Sequence, residues 1–341
     1  MLTLASLAIA AIASVSAPAV PAPMPAPMPA PMYVPDALLA VTSMPEPSGI
    51  VFCPTLSRYL VISDDTGDKR LGNNHAPWLF AMSPSGQLDS TPLPLLGIEK
   101  LNDAEAICKG PAGSYLLATS QSKNRKGQDK SARRMLLQLA PSGRALRVLA
   151  RLDLITAILA SGAIPGESLD IEAMAYRDDA LYLGLKSPQT LDGAAIILRI
   201  GDFAAALRSG WLDPKKVARW QEVQLRAQGA SGEVIQGVSD MSFLPDGSLV
   251  LLANSPKRMP PDGGGALYWL RPGTGPQLLR RFPGQKPEGV TLTEDERALM
   301  IVIDRDRQQP MWLLHERPDM GKANKKRGQH GLGLDGKVRE P

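Results

Sequence analysis

The sequence predicts an all-β protein, a β-propeller of five four-stranded antiparallel blades, from three recurring features. The first is a triad of a polar or acidic, a small and an aliphatic residue: Ser48-Gly49-Ile50, Glu105-Ala106-Ile107, Glu172-Ala173-Met174, Ser239-Asp240-Met241 and Glu288-Gly289-Val290. The second is an apolar run within about a dozen residues of each triad, separated from it by a turn. The third is a further apolar run after that one. Self-similarity at this spacing is the signature of a repeat architecture.

The inner strands begin at the triads. The second strands are Tyr59–Ile62, Tyr115–Ala118, Leu181–Gly184, Leu249–Leu252 and Met300–Ile303. Turn residues precede two of them, Pro245-Asp246-Gly247-Ser248 and Arg177-Asp178-Asp179. The third strands are Trp78–Met82, Met135–Leu139, Ala195–Arg199, Ala266–Leu270 and Met311–Leu314. Turns such as Pro84-Ser85-Gly86 and Pro141-Ser142-Gly143 lead to outer strands near Leu93, Val148, Trp220 and Leu278. The fifth blade has no outer strand of its own. Ala37–Val41 is the candidate to supply it and close the ring, which removes an open sheet edge. A sixth blade is the alternative, and it would have to lie in a stretch such as Leu152–Leu169. That stretch and Asp202–Leu212 read better as short amphipathic helices.

The propeller is expected over residues 34–316, with other material on both sides. Met1–Ala17 is apolar and ends in the small residues Val15-Ser16-Ala17, the pattern of a cleaved signal peptide, although no Lys or Arg precedes Asp36. It is too short for a membrane span, so export to the periplasm or exterior is expected without stable membrane insertion. Residues 18–33 repeat Pro-Ala-Pro-Met and read as a stiff spacer. Residues 317–341 hold seven Lys/Arg against three Asp/Glu, which leaves 31 of each in residues 1–316. The net charge of +4 therefore belongs to a basic, disordered tail, and nucleic-acid binding is not expected. Cys53 and Cys108 sit at non-equivalent positions of neighbouring repeats, as a bridge or as buried thiols.

Several segments resemble a bacterial domain-of-unknown-function family, number 3616. They are Ser120–Gly127 with Arg133–Leu137, Asp170–Met174 with Gly184–Pro188, Gly237–Met241, and Lys286–Val290. The triads alone are also similar to esterase-like phytase propellers. The resemblance implies the propeller fold and no defined chemistry. Gln121 stands where that family tends to have His, so no catalytic role is carried over from that position.

In a meander, the start of the first strand and the end of the second share one face of the disc. Glu105, Glu172, Glu288, Asp240, Asp64, Asp65 and Asp304 are thereby expected at one channel mouth, with Ser48, Ser120, Ser122, Lys186, Ser239 and Asn254. The loop Ser122–Arg134, carrying Arg125 and Lys126, rims it. Clustered carboxylates suit a hard divalent cation such as Ca²⁺, with Glu105, Glu172, Glu288, Asp240, Asp64 and Asp304 as candidate ligands. They also suit acid–base chemistry through raised pKa values, or a structural role accepting backbone N–H groups of the next blade. Arg125, Lys126, Lys186, Ser120, Ser122 and Asn254 are candidates for a small anionic ligand. The three histidines, His75, His315 and His330, include no metal-spaced pair. No Gly-x-Ser-x-Gly elbow or phosphate loop is present. A binding propeller is the leading expectation. A metal-dependent hydrolase of phosphoesters or lactones and a protein or cell-wall scaffold stand beside it.

Overall fold

A computed structural model describes residues 29–64, 66, 76–124, 126–229, 232–255 and 264–318. Five sheets form a five-bladed propeller. Blade 1 contains Pro47–Cys53, Arg58–Ser63 and Leu79–Met82; blade 2 contains Ala104–Lys109, Tyr115–Thr119, Leu136–Pro141 and Leu146–Leu152. Blade 3 contains Asp170–Arg177, Ala180–Ser187, Ala195–Ile200 and Val217–Val223. Blade 4 contains Gly237–Phe243, Leu249–Asn254, Gly264–Leu270 and Gln277–Pro283; blade 5 contains Lys286–Leu292, Ala298–Asp304 and Met311–Glu316. The first strands touch in cyclic order around the axis, blade 5 returning to blade 1.

The core lies in the seams between blades, because a strand's side chains alternate between its two faces. Tyr59 and Val61 pack into the seam with blade 5, whereas Leu60 and Ile62 pack into the seam with blade 2. Leu249 and Leu251 likewise face blade 3, and Val250 and Leu252 face blade 5. Aliphatic residues thus fill both faces of the second strands, which explains their unbroken apolar runs.

The strand that closes the ring is Ala30–Pro31, not Ala37–Val41. Ala30 pairs with Trp312 and Pro31 with Met311 on the outer edge of blade 5. The chain then crosses to blade 1: the Tyr33 amide donates to Gly86 O at 3.0 Å, and the Leu88 amide to Tyr33 O at 3.0 Å. Met32 is fully buried in this seam. Asp36–Leu39 is instead a single helical turn behind Pro35, with Leu38 buried and Val41 exposed. Its Ala-Leu-Leu run favours helix, and the pairing expected between Val41 and the Trp312 blade is absent. Gly86 is required nearby. Its φ is +85°, and a Cβ there would overlap the Trp312 indole.

No sixth blade hides in Leu152–Leu169: Ile155–Ser161 is a helix packed over the seam of blades 2 and 3. Phe203–Ser209 is the second expected helix. Blade 1 finishes irregularly, with Asp89 N to Ala81 O at 2.8 Å and Leu93 N to Leu79 O at 2.9 Å. Leu95–Leu96 then runs parallel to the outer strand of blade 2. Arg226–Gly229 pairs antiparallel with Gly232–Ile235 ahead of blade 4. Cys53 and Cys108 are buried free thiols facing different seams, which explains the absence of a bridge. Met1–Ala17, most of the spacer and nearly all of the basic tail lie outside the described residues.

Candidate functional site

Each first strand carries a β-bulge at the same place. Pairing with the second strand slips between Pro47 and Gly49, Ala104 and Ala106, Ile171 and Ala173, Val238 and Asp240, and Pro287 and Gly289. The skipped residues are Ser48, Glu105, Glu172, Ser239 and Glu288, the leading residue of every triad. A bulge leaves one residue unpaired and re-aims its side chain. Gly289, which follows Glu288, is imposed by close packing: a Cβ there would lie 2.7 Å from Val302 and 3.1 Å from Gly49.

The five bulged residues divide by chemistry. The serines tie seams: Ser48 Oγ donates to Ala104 O at 2.5 Å, and Ser239 Oγ to Pro287 O at 2.9 Å. The glutamates supply charge. Lys186 Nζ donates to Glu172 Oε1 at 2.5 Å. Lys286 pairs with Glu288 and, at 3.0 Å, with Asp304. Glu105 has no ion pair with a basic side chain among the described residues. It sits instead with Asp64 and Asp103, one carboxylate oxygen of each lying within 4.8 Å of the others.

The electrostatics follow from this sharing. Burial pushes Glu105 well above the usual carboxylate range, and Glu172, Asp103 and Asp64 push it in the same direction. Asp170 is raised to about 7 by burial and then by Glu172. Burial also raises Glu288 to about 7, with Lys286 opposing and Glu172 adding to the rise. Burial disfavours the charged form of both lysines, but their carboxylate partners prevail and both are held above the usual range. Glu172 acts on both Glu105 and Glu288, and it lines one cavity with Glu288.

The other predicted residues separate by use. Asp240 is 1% exposed, and its carboxylate accepts from the Met241 amide at 2.8 Å and from the Val290 amide of blade 5 at 2.6 Å. It is a seam lock. The Ser120 and Ser122 hydroxyls lie 2.9 Å apart and both meet the Arg133 guanidinium, which also binds Asp103. Asn254 Nδ2 donates to Pro287 O at 2.9 Å, whereas its buried Oδ1 has no partner among the described residues. Asp304 is taken up by Lys286 and by the Asp306 amide. Lys126 is exposed. Asp65 and Arg125 lie outside the described residues.

Asp103, Asp170 and Lys286 belong to the mouth but were absent from the sequence-based ligand set. They share a signal, since each stands two residues before a bulged glutamate, and period-2 alternation carries it to the same end of the strand. Arg133 lies in the loop expected to rim the mouth, and it ties that loop to Asn102, Asp103 and both serines.

Two cavities mark the channel region. One of about 250 Å³ lies at the charged mouth, among Glu172, Lys186, Val238, Asn254, Lys286 and Glu288. The other, about 290 Å³, is lined by Ile50, Ile107, Met241 and Val290 beyond the bulges, away from the clustered charges.

A family model described as "Family of unknown function (DUF6910)" matches residues 99–308. Its number differs from that of the family the motifs resemble. No curated protein matches the chain. Among solved structures, a thermostable family-43 glycoside hydrolase is 11% identical, over 88% of this chain and 95% of that one, with a TM-score of 0.46. A luciferin-regenerating enzyme is 8% identical over 83% and 94%, with a TM-score of 0.40. The hydrazine synthase of Kuenenia stuttgartiensis is 12% identical over 76% of this chain, with a TM-score of 0.36, and the chain spans 65% of that structure's length. These likenesses concern fold alone.

Proposed function

We propose, for a chain that belongs to the Family of unknown function (DUF6910), that the charged channel mouth is a binding site for a divalent cation of the calcium class. One observation carries this reading, the unequal neutralisation of the three bulged glutamates. Among the described residues, Glu172 and Glu288 each pair with a lysine, whereas Glu105 sits with Asp64 and Asp103. Seven carboxylates converge on the mouth, Asp64, Asp103, Glu105, Asp170, Glu172, Glu288 and Asp304. Among the described residues they meet the cationic groups Lys186, Lys286 and Arg133. Among the described residues the excess is negative, and protons or a hard cation would relieve it.

Ca²⁺ takes six to eight oxygen ligands, so Asp64, Asp103 and Glu105 would hold part of its shell, with water or ligand oxygens completing it. An anionic small ligand is less well served by the protein alone, because Lys186 and Lys286 already hold carboxylates. It would enter by bridging to the cation. Export through Met1–Ala17 belongs to the same proposal, since Ca²⁺ sites of extracellular modules work at about 10⁻⁴–10⁻³ M.

A second reading draws on Asp170 and Glu288, which titrate near neutrality. With a cation polarising a phosphoester or lactone, either group is poised for proton transfer in a hydrolase. Elemental analysis and calcium titration of the purified chain test the cation directly. One calcium-class ion per chain is expected, with at least tenfold weaker binding in Asp103→Asn and Glu105→Gln. A chain that neither carries nor takes up a divalent ion overturns both readings and leaves the interaction scaffold.

A further inference from the structure

The 250 Å³ cavity is separate from the Asp64–Asp103–Glu105 group and lies between blades 3, 4 and 5. At about 30 Å³ per water, it has room for about eight waters, or for one small ring compound. Its walls combine Gly237, Val238 and the stems of Lys186 and Lys286 with polar groups that are only partly used.

Each lysine binds Oε1 of its glutamate, and Oε2 of Glu172 and of Glu288 accepts no hydrogen bond among the described residues. The Asn254 amide has a fixed orientation, because Nδ2 donates to Pro287 O at 2.9 Å. Its Oδ1 is therefore an acceptor, buried and unpartnered. Gly265 is required beside that oxygen, since a Cβ there would overlap the Pro287 ring at 2.3 Å and stand 2.5 Å from Asn254 Oδ1. A buried acceptor without a donor is costly unless a water or ligand satisfies it. The two ammonium groups retain donors, with side chains 42% and 36% exposed.

We propose that this cavity binds a neutral, polyhydroxylated ring of monosaccharide size. A hydroxyl donates once and accepts through two lone pairs, so one group bridges a glutamate oxygen and a lysine without separating them. A net anion would face both glutamates, and a zwitterion would have to break both ion pairs. The C–H face of a ring suits Val238 and the lysine stems, as apolar lining with a few oriented polar groups suits small-molecule sites in general. This inference does not depend on the cation.

The test is saturation-transfer NMR and calorimetry on the full chain, in chelator and again in calcium. The probes are D-glucose, D-galactose and D-xylose, with L-glutamate and inorganic phosphate as charged comparisons. Saturable binding of at least one sugar is expected in both conditions. It should weaken at least tenfold in Asn254→Ala and vanish in Gln189→Trp, which fills the cavity from a half-exposed position. Gln189 donates only a 3.3 Å bond to Gln236 O, so that variant should keep the wild-type melting curve. Failure of all three sugars, preference for glutamate or phosphate, or sugar binding unchanged in a folded Gln189→Trp would overturn the proposal.

Discussion

The Asp240 carboxylate accepts the Val290 backbone N–H at 2.6 Å, across the seam between blades 4 and 5. The same carboxylate accepts the Met241 amide, so a residue that reads as a metal ligand is consumed in joining two blades. Asp240→Ala would leave the two amides buried without partners. A loss of about 1–3 kcal/mol is expected in denaturant unfolding, equal in calcium and in chelator.

Closure of the ring gives a second prediction. Deleting residues 1–28 should leave the melting temperature unchanged, whereas deleting residues 1–33 should lower it and expose the blade 5 edge. Met32→Ala, at a fully buried position, is expected to cost about 2–5 kcal/mol. Equal melting of the two deletions would mean that Ala30–Pro31 does not hold the ring.

A third prediction concerns pH. Asp170 and Glu288 titrate near 7 in the fold, against about 3.9 and 4.3 for unperturbed Asp and Glu. Between these values the folded chain binds more protons than the unfolded chain, so stability falls as pH rises from about 4 to about 7. In chelator, melting temperature should therefore decline across that window. Glu172→Gln should flatten the decline, because Glu172 is the strongest charge raising Asp170. A melting temperature that climbs with pH, or a slope unchanged in Glu172→Gln, would refute this account.

The blades were legible because the apolar runs and the triad repeat act locally, and the chain states each of them five times. The bulge was not, since register depends on a partner strand. Yet the same bulge re-aims Ser48 and Glu105, and side-chain chemistry then sends one to a seam and the other to the charged mouth. The closing strand was hidden by composition. Ala30–Pro31 continues a Pro-Ala-Pro-Met repeat, and its pairing depends on an edge some 280 residues away. Lys186 was visible as a cation, but its commitment to Glu172 was not, because that contact depends on the bulge. Asp103, Asp170 and Lys286 were readable at a fixed offset from the glutamates and needed only a wider repeat window.

Thermal melting shows whether the mouth around Glu105 holds a divalent cation. Wild type and Glu105→Gln would each be melted in calcium and in chelator at pH 7.5. A ligand that binds the folded state stabilises it by mass action, by about 2.7 kcal/mol at one hundred times its dissociation constant. Calcium should therefore raise the wild-type midpoint by several degrees and leave Glu105→Gln nearly unmoved. In chelator the order should reverse, with Glu105→Gln more stable because one repelling carboxylate is gone. A wild-type midpoint that is the same in calcium and chelator would contradict the claim.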